Sequence, residues 1–448
     1  MRDIVLTIFI FSLLPSCFMR PWFGVLVWSW IGFMNPHKLC WGFAQTMPFA
    51  MMVGIATLVG LVLSRDKKSI PWSRELVVML VLLTYFTFTT FFAWAPPHAW
   101  PQWEKVVKVF LMVFVTTMVI FGKKRIHALL LVIAFSIGFY GVKGAIFTVR
   151  TGGHDEVWGP MGTFIGSNTF LGLAMIMVLP LLVFLAREEE RVWMRRLLYA
   201  TATCTFVSII FTYSRGAFLG LAAISPLLFL RTKHKALVSL LLVPMLFFGA
   251  QWAPKALFHR ADTIEHYHHD YSAMQRLQAW SVAWNVARTH PFTGGGFEYE
   301  WIPNRQWLSY ADPIYNKFGH TARAAHSIYF QVMGQHGFVA FGLFILLLVW
   351  ALISLTRLQR LARLVPEAQW IGNYAMAIQI GIVGYMVAGA FLASAYFDLM
   401  WAYIGLTAIL RRELAIVTAR APAKAPATTA PARRGGRASL ALGYKSLR

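Results

Sequence analysis

Charge is scarce in this 448-residue chain: 13% of residues are Asp, Glu, Lys or Arg, against 58% that are apolar. A soluble domain carries about 25% charged residues, so that class is excluded. Acids are scarcer than bases, with 18 Asp and Glu against 41 Lys and Arg, a net charge of +23. The three cysteines, Cys17, Cys40 and Cys204, have no metal-ligand spacing and read as packing residues. No Asp-x-Asp pair occurs, which removes the obvious carboxylates for a metal-bound sugar nucleotide. No serine elbow or Cys/His pattern points to hydrolysis through a covalent intermediate. The period-2 alternation of a membrane barrel is also missing. Leu14-Pro15-Ser16-Cys17 has the outline of a lipoprotein cleavage site, but Pro15 and the apolar run around it argue for a retained N-terminus.

What the chain has is a succession of apolar runs near the ~20 residues that cross a bilayer as helix. Backbone groups in lipid must be satisfied within the segment, so the fold expected is all-α: a polytopic helical bundle of about 12 transmembrane helices. The runs fall near 44–63, 75–93, 105–121, 124–146, 168–185, 197–213, 218–230, 233–251, 328–355, 370–392 and 395–410. Residues 4–32 are apolar but interrupted by Pro15 and by Arg20-Pro21. They make one net crossing if Met1 and Arg2 are inside, and two if not.

Every second loop is basic, beginning with Arg65, Lys67, Lys68 and Arg74 and continuing with Lys123, Lys124 and Arg125. Positive loops mark the cytoplasmic side, so the remaining loops face outward. The positive charge therefore follows membrane topology, and no nucleic-acid partner is implied. The expected domains are an N-terminal bundle over 1–251, a large outer loop over 252–327, further spans over 328–410, and a tail over 411–448. The tail is basic and rich in Ala and Pro. It is expected to be disordered, with its cations on anionic membrane lipid.

The outward side carries the residues that could do chemistry. Arg215 lies in a tight turn, FTYSRGAFLG, where positive charge is not favoured. It could be a snorkelling anchor, or it could bind an anion bidentately. Arg276 sits near the start of a helix whose Met274, Leu277, Trp280, Trp284 and Ala287 form one apolar face. That face predicts an amphipathic helix at the membrane interface, with Arg276 either solvated or functional. Gly294-Gly295-Gly296 follows a helix instead of opening one, so a flexible turn is expected and not a phosphate loop. His266, His268 and His269 with Asp270 fit no strong zinc template and read as a solvated loop. His326, with Arg323 three residues before it, opens the span after the loop. An unperturbed imidazole pKa of ~6.5 would let His326 act as a base near neutrality, though an interface residue is the plainer reading.

At these residues the chain resembles the O-antigen ligase family. The likeness is strongest at Tyr213-Ser214-Arg215-Gly216, at Arg276 through Trp280 followed by Pro291 and the glycine run, and at Ala325-His326-Ser327 through Gly334-Gln335-His336-Gly337-Phe338. Ser327 stands where Asn often follows the family's histidine. MNPHKLCWGFA and VWGPMGTFIGSNTF also resemble a subgroup associated with exosortase systems. The resemblance implies a multi-pass protein of the bacterial inner membrane working on its periplasmic face. It implies transfer of a polysaccharide from undecaprenyl pyrophosphate to a sugar hydroxyl of lipid A–core. Catalysis would be inverting and would need no metal or other cofactor. On this reading Arg215 and Arg276 bind pyrophosphate with Arg323 nearby, and His326 activates the acceptor hydroxyl. An O-antigen polymerase or a protein O-oligosaccharyltransferase would share the donor. A transporter or flippase would need paired mid-membrane charges, for which only Lys108 and Lys143 offer themselves.

Overall fold

The computed structural model describes residues 1–65, 68–231 and 271–420. The expected span 233–251, the group His266, His268, His269 and Asp270, and the chain from 421 onward lie outside the described residues. Within them the fold is all helical, with no strand. The helices are α1 (Arg2–Met19), α2 (Pro21–Met34), α3 (Phe49–Leu63), α4 (Arg74–Thr90), α5 (Pro96–Val119), α6 (Gly122–Arg150), α7 (Asn168–Glu188), α8 (Val192–Ile210) and α9 (Arg215–Arg231). After the undescribed stretch come α10 (Tyr271–Thr289), the short α11 (Asn304–Ser309), α12 (Ile328–Ala362), α13 (Gln369–Ala388) and α14 (Asp398–Arg420). Among the described residues, five helical stretches are long and apolar enough to cross a membrane: α1, α6, α7, α12 and the run Pro366–Phe391 that contains α13.

Hairpin contacts sort the loops into two ends. Phe18 of α1 lies against Gly60 of α3, where an added Cβ would sit 2.1 Å from the Phe18 carbonyl oxygen. Arg20 and Arg65 therefore share one end. At the other end the Asp3 carboxylate accepts from the N–H groups of Gly42 and Ala44 at 2.9 and 3.1 Å. The Tyr140 hydroxyl of α6 donates to the Met34 carbonyl at 2.5 Å, which adds the 150–167 loop to that end. Pro21 opens a new helix at Arg20, so residues 4–32 run down and back. A single net crossing, with Met1 and Arg2 among the basic loops, does not hold.

Two other expectations shift. Residues 96–103, part of the loop expected over 94–103, form the first turns of α5, because a proline at the first helical position has no N–H to satisfy. α14 continues to Arg420, past the expected tail boundary at 411. Arg412 anchors that extension by donating to the Thr117 carbonyl of α5 at 2.9 Å, a cation on a helix C-terminus.

α7 is buried on all sides from Leu171 through Leu182, as expected of a helix apolar all round. α13 packs against α7, α9, α12 and α14. α6 meets α8 through Gly138, Gly141 and Gly144, whose faces touch Thr201, Thr205 and Ser208. Small residues at this spacing bring two backbones close, and the Ser208 hydroxyl donates to the Gly141 carbonyl at 2.6 Å.

α12 is two helices joined at Gly337, whose φ of 75° and ψ of −175° are not helical. The break frees the carbonyls of Gly334 and Gln335, and these accept from Gly295 and Gly296 N–H at 2.9 and 2.8 Å. In return Phe338 N–H donates to the Pro291 carbonyl at 2.9 Å. The glycine run is thus a buried, hydrogen-bonded brace and not the flexible turn expected. Gly337→Ala would place a Cβ 2.3 Å from the Pro291 oxygen at a positive φ, and should cost about 1–3 kcal/mol. Gly342→Ala, on the same helix with nothing within 4 Å, should instead stabilise by roughly 0.5–1 kcal/mol. Thermal unfolding in detergent should move the two variants in opposite directions.

Candidate functional site

The residues singled out from sequence gather at the end of the bundle away from the basic loops. Ser214 opens α9, its hydroxyl accepting from Ala217 N–H at 3.2 Å, and Arg215 is the exposed first residue of that helix. Tyr213 before it has a φ of 51°, and its hydroxyl is held by the Gly153 carbonyl. Gly216 faces the carbonyl of Ala388, and Gly389 faces the side chain of Ile328 at the start of α12. The segment Ala388–Phe391 thus packs against both Gly216, next to Arg215, and Ile328, two residues after His326.

His326 has a φ of 47°, in the left-handed region that few non-glycine residues adopt. Strain of this kind, about 1–3 kcal/mol, persists only where the surroundings impose it. Those surroundings are visible. The Trp280 indole N–H of α10 donates to the Ala325 carbonyl at 2.7 Å, one residue before the histidine. The Trp280 ring stacks on Phe330, centroids 5.0 Å apart and planes 9° apart. Gln275 and Gln278 of α10 donate to the carbonyls of Phe318 and Gly319 at 2.9 and 3.0 Å. Arg323 lies over Gly319 beside Gln278, its guanidinium donating to the Thr321 hydroxyl at 3.2 Å. The return segment is thus pinned along α10, and Arg276, Arg323 and His326 share one electrostatic neighbourhood.

Burial is the main cause that holds the His326 imidazole below its ordinary pKa, and the positive charges of Arg276 and then Arg323 add to it. All three favour the neutral ring, although part of the side chain is exposed to solvent. At neutral pH it can accept a proton.

The face α10 buries is not the one expected. Met274 and Ala287 are buried, but Trp284 is exposed, and the inward stripe is Gln278, Ala279, Ser281, Val282, Ala283 and Val286. Small side chains let α10 approach the first half of α12, where a Cβ on Gly334 would sit 3.0 Å from that of Ala283. The tryptophans meet phenylalanines of α12 at the edge of this contact, Trp284 against Phe338 at 5.4 Å.

Sequence reasoning missed the polar group beneath the site. His336 is fully buried, with Nδ1 2.6 Å from the Thr89 hydroxyl and Nε2 2.8 Å from the Tyr396 hydroxyl. Tyr396 donates to Gln335 Oε1 at 2.7 Å, so its oxygen accepts from His336 Nε2–H, which assigns the tautomer. Glu300 lies beside Gln335, its carboxyl pushed up to about 7 by burial and, less, by Glu298. The group ties α4, the glycine brace and the turn before α14 to the half-helix that begins after His326. Only the Gly334–Phe338 motif hinted at it; the two hydroxyl partners of His336 lie 247 and 60 residues away in the chain.

Two family models match the chain. Residues 1–190 match a family of unknown function (DUF5935), and residues 200–345 match the O-antigen ligase model. Arg215, Arg276, Arg323 and His326 all fall inside the second match. No curated protein matches the chain significantly.

Trp280→Phe keeps an aromatic ring on Phe330 but leaves the Ala325 carbonyl without its donor. A net hydrogen bond is worth about 1 kcal/mol, so amide exchange over 321–329 should rise about fivefold. Exchange in α7 should stay unchanged, and equal protection of 321–329 in both proteins would show that Trp280 does not hold this segment.

Proposed function

We propose that this chain, whose residues 200–345 match the O-antigen ligase model, transfers a lipid-linked glycan to the sugar hydroxyl of a lipid-anchored acceptor. The donor is a polysaccharide on undecaprenyl pyrophosphate, and the acceptor is lipid A–core. The protein sits in the bacterial inner membrane as a polytopic helical bundle, with the Arg215 and His326 end in the periplasm. Both substrates then reach the site sideways from lipid.

The chemistry is a direct displacement. The acceptor oxygen bonds to the anomeric carbon as the bond from that carbon to the phosphate oxygen breaks. The hydroxyl proton passes to the His326 imidazole, and undecaprenyl pyrophosphate leaves with the electron pair. Attack from the opposite face inverts the anomeric centre. Pyrophosphate needs charge stabilisation as it leaves, not a proton. Arg215 and Arg276 supply it, Arg323 adds positive charge, and no metal is required.

The observation that carries this reading is the return segment pinned along α10, which sets His326 in a left-handed turn in the same electrostatic neighbourhood as Arg276 and Arg323. Burial first, and then the charges of Arg276 and Arg323, disfavour the protonated ring. A base must be within reach and in the right protonation state, and proton transfer by a positioned residue is worth roughly 10²–10⁴-fold.

The test is transfer by purified protein in the presence of EDTA. Undecaprenyl-pyrophosphate-linked glycan is offered with lipid A–core, with a protein acceptor, or with a second lipid-linked chain. Product on lipid A–core is expected, and product only on another acceptor would reassign the enzyme. His326→Gln should lose at least about 100-fold in kcat while remaining folded. Arg276→Gln removes a cation that disfavours imidazolium, so the His326 pKa rises and the acid limb of the pH–rate profile moves to higher pH. An unmoved limb would exclude His326 as the titrating base.

A further inference from the structure

The region matched by the family of unknown function holds a cavity of about 800 Å³ between α1, α2, α6 and two loops. Two sequence motifs that the transfer chemistry leaves unused meet there. MNPHKLCWGFA contributes Lys38 and Trp41, and VWGPMGTFIGSNTF contributes Gly159 and Pro160. The cavity lies at the same end of the bundle as Arg215 and His326. Its walls are divided by polarity. Phe9 and Trp30 line it, packed edge to face at 5.8 Å. Arg2, Lys38 and Lys143 bring three cations to the same space.

The nearby Asp3 carboxylate, held by the backbone N–H groups of Gly42 and Ala44, offsets at most one of the three cations and leaves the space positive. The cations are arranged by the fold. The Arg2 guanidinium lies 4.8 Å over the exposed Trp41 ring. The Lys38 ammonium donates to the Gln45 carbonyl at 3.1 Å, which fixes its place at the cavity wall. Lys143 is exposed on α6 within a stretch apolar enough to span a membrane, flanked by exposed Phe139 and Ile146. An ionisable residue on such a surface is costly unless a partner meets it. Only 11% of the α1 span is buried, so the cavity opens beside a helix that faces lipid.

We propose that this cavity binds an amphiphile with a phosphate headgroup. The phosphate meets Arg2, Lys38 and Lys143, and the tail lies along α1 against Phe9. A pocket with apolar walls and a few convergent polar groups suits such a ligand, and a phosphate would satisfy the three cations together. Trp41 and Arg2 sit where an aromatic ring and a cation favour the membrane interface.

Binding is measured on the purified full chain by native mass spectrometry, with dioctanoyl phosphatidic acid and dioctanoyl phosphatidylcholine as probes. Phosphatidic acid should bind at least about tenfold more tightly than phosphatidylcholine. Lys143→Ala should weaken it about fivefold, the usual contribution of one cation near an anionic lipid, and Lys143→Arg should restore it. The exposed position of Lys143 predicts an unchanged thermal midpoint, which keeps the loss attributable to charge. Competition by undecaprenyl phosphate identifies the source. Displacement below the phosphatidic acid concentration assigns the site to the polyprenyl carrier. Displacement only at or above it assigns the site to bilayer phospholipid. Equal binding of the zwitterionic lipid, or unchanged phosphatidic acid binding in both Lys143→Ala and Lys38→Ala, would overturn the proposal.

Discussion

The exchange of backbone hydrogen bonds at Gly337 is the constraint on which the site depends. A helix in apolar surroundings cannot leave carbonyls unpaired, since each would cost several kcal/mol. Breaking α12 is possible because Gly295 and Gly296 donate to the two freed carbonyls and Pro291 accepts from Phe338. The same brace reaches α4 and the link before α5, since the Gly295 carbonyl accepts from Trp94 N–H at 2.9 Å and the Phe292 carbonyl from the Tyr85 hydroxyl at 2.6 Å. The half-helix from Ile328 to His336 is thereby aimed independently of the longer half below it. His326 stands at its tip.

Above that brace the site is built by side-chain bonds from α10. Glutamines and a tryptophan pin the returning chain, and their reach holds His326 in a left-handed conformation that its own residue type does not favour. The buried His336 plays a different part from the exposed His326. Both of its ring nitrogens are engaged by hydroxyls, so it serves as a neutral cross-link, while His326 keeps an open face beside two arginines. Electrostatics then separate the two ends of the bundle. Arg20, Arg65 and Arg74 lie at the end away from the site, and the arginines near His326 stand apart from them, where topology alone would not place them.

Much of this was legible in the chain. Apolar run length located α3, α4, α6, α7, α8, α9, α12, α13 and α14, because length and apolarity are local properties. The boundaries that moved did so for reasons beyond apolarity. Pro96 starts a helix that polar and aromatic residues disguised as a loop, and Arg412 extends α14 by capping α5. The buried face of α10 was misread because its tryptophans dominate any hydrophobic count, while the contact itself is made by alanine, serine and valine. Close approach to Gly334 selects for small side chains, not for apolar ones.

The sequence alone determined the all-helical class, the basic and non-basic alternation of the loops, and the residue types Arg215, Arg276, Arg323 and His326 with their family likeness. These follow from composition, run length and short motifs, which need no knowledge of distant partners. Only the tertiary structure decided that residues 4–32 form a hairpin and that three glycines brace a broken helix. It alone showed Thr89, His336, Tyr396 and Gln335 as one hydrogen-bonded group, and it alone brought Arg2, Lys38 and Lys143 to one cavity. Each of these joins residues far apart in the chain, and a hydrogen bond or a shared field depends on distances that no periodicity encodes.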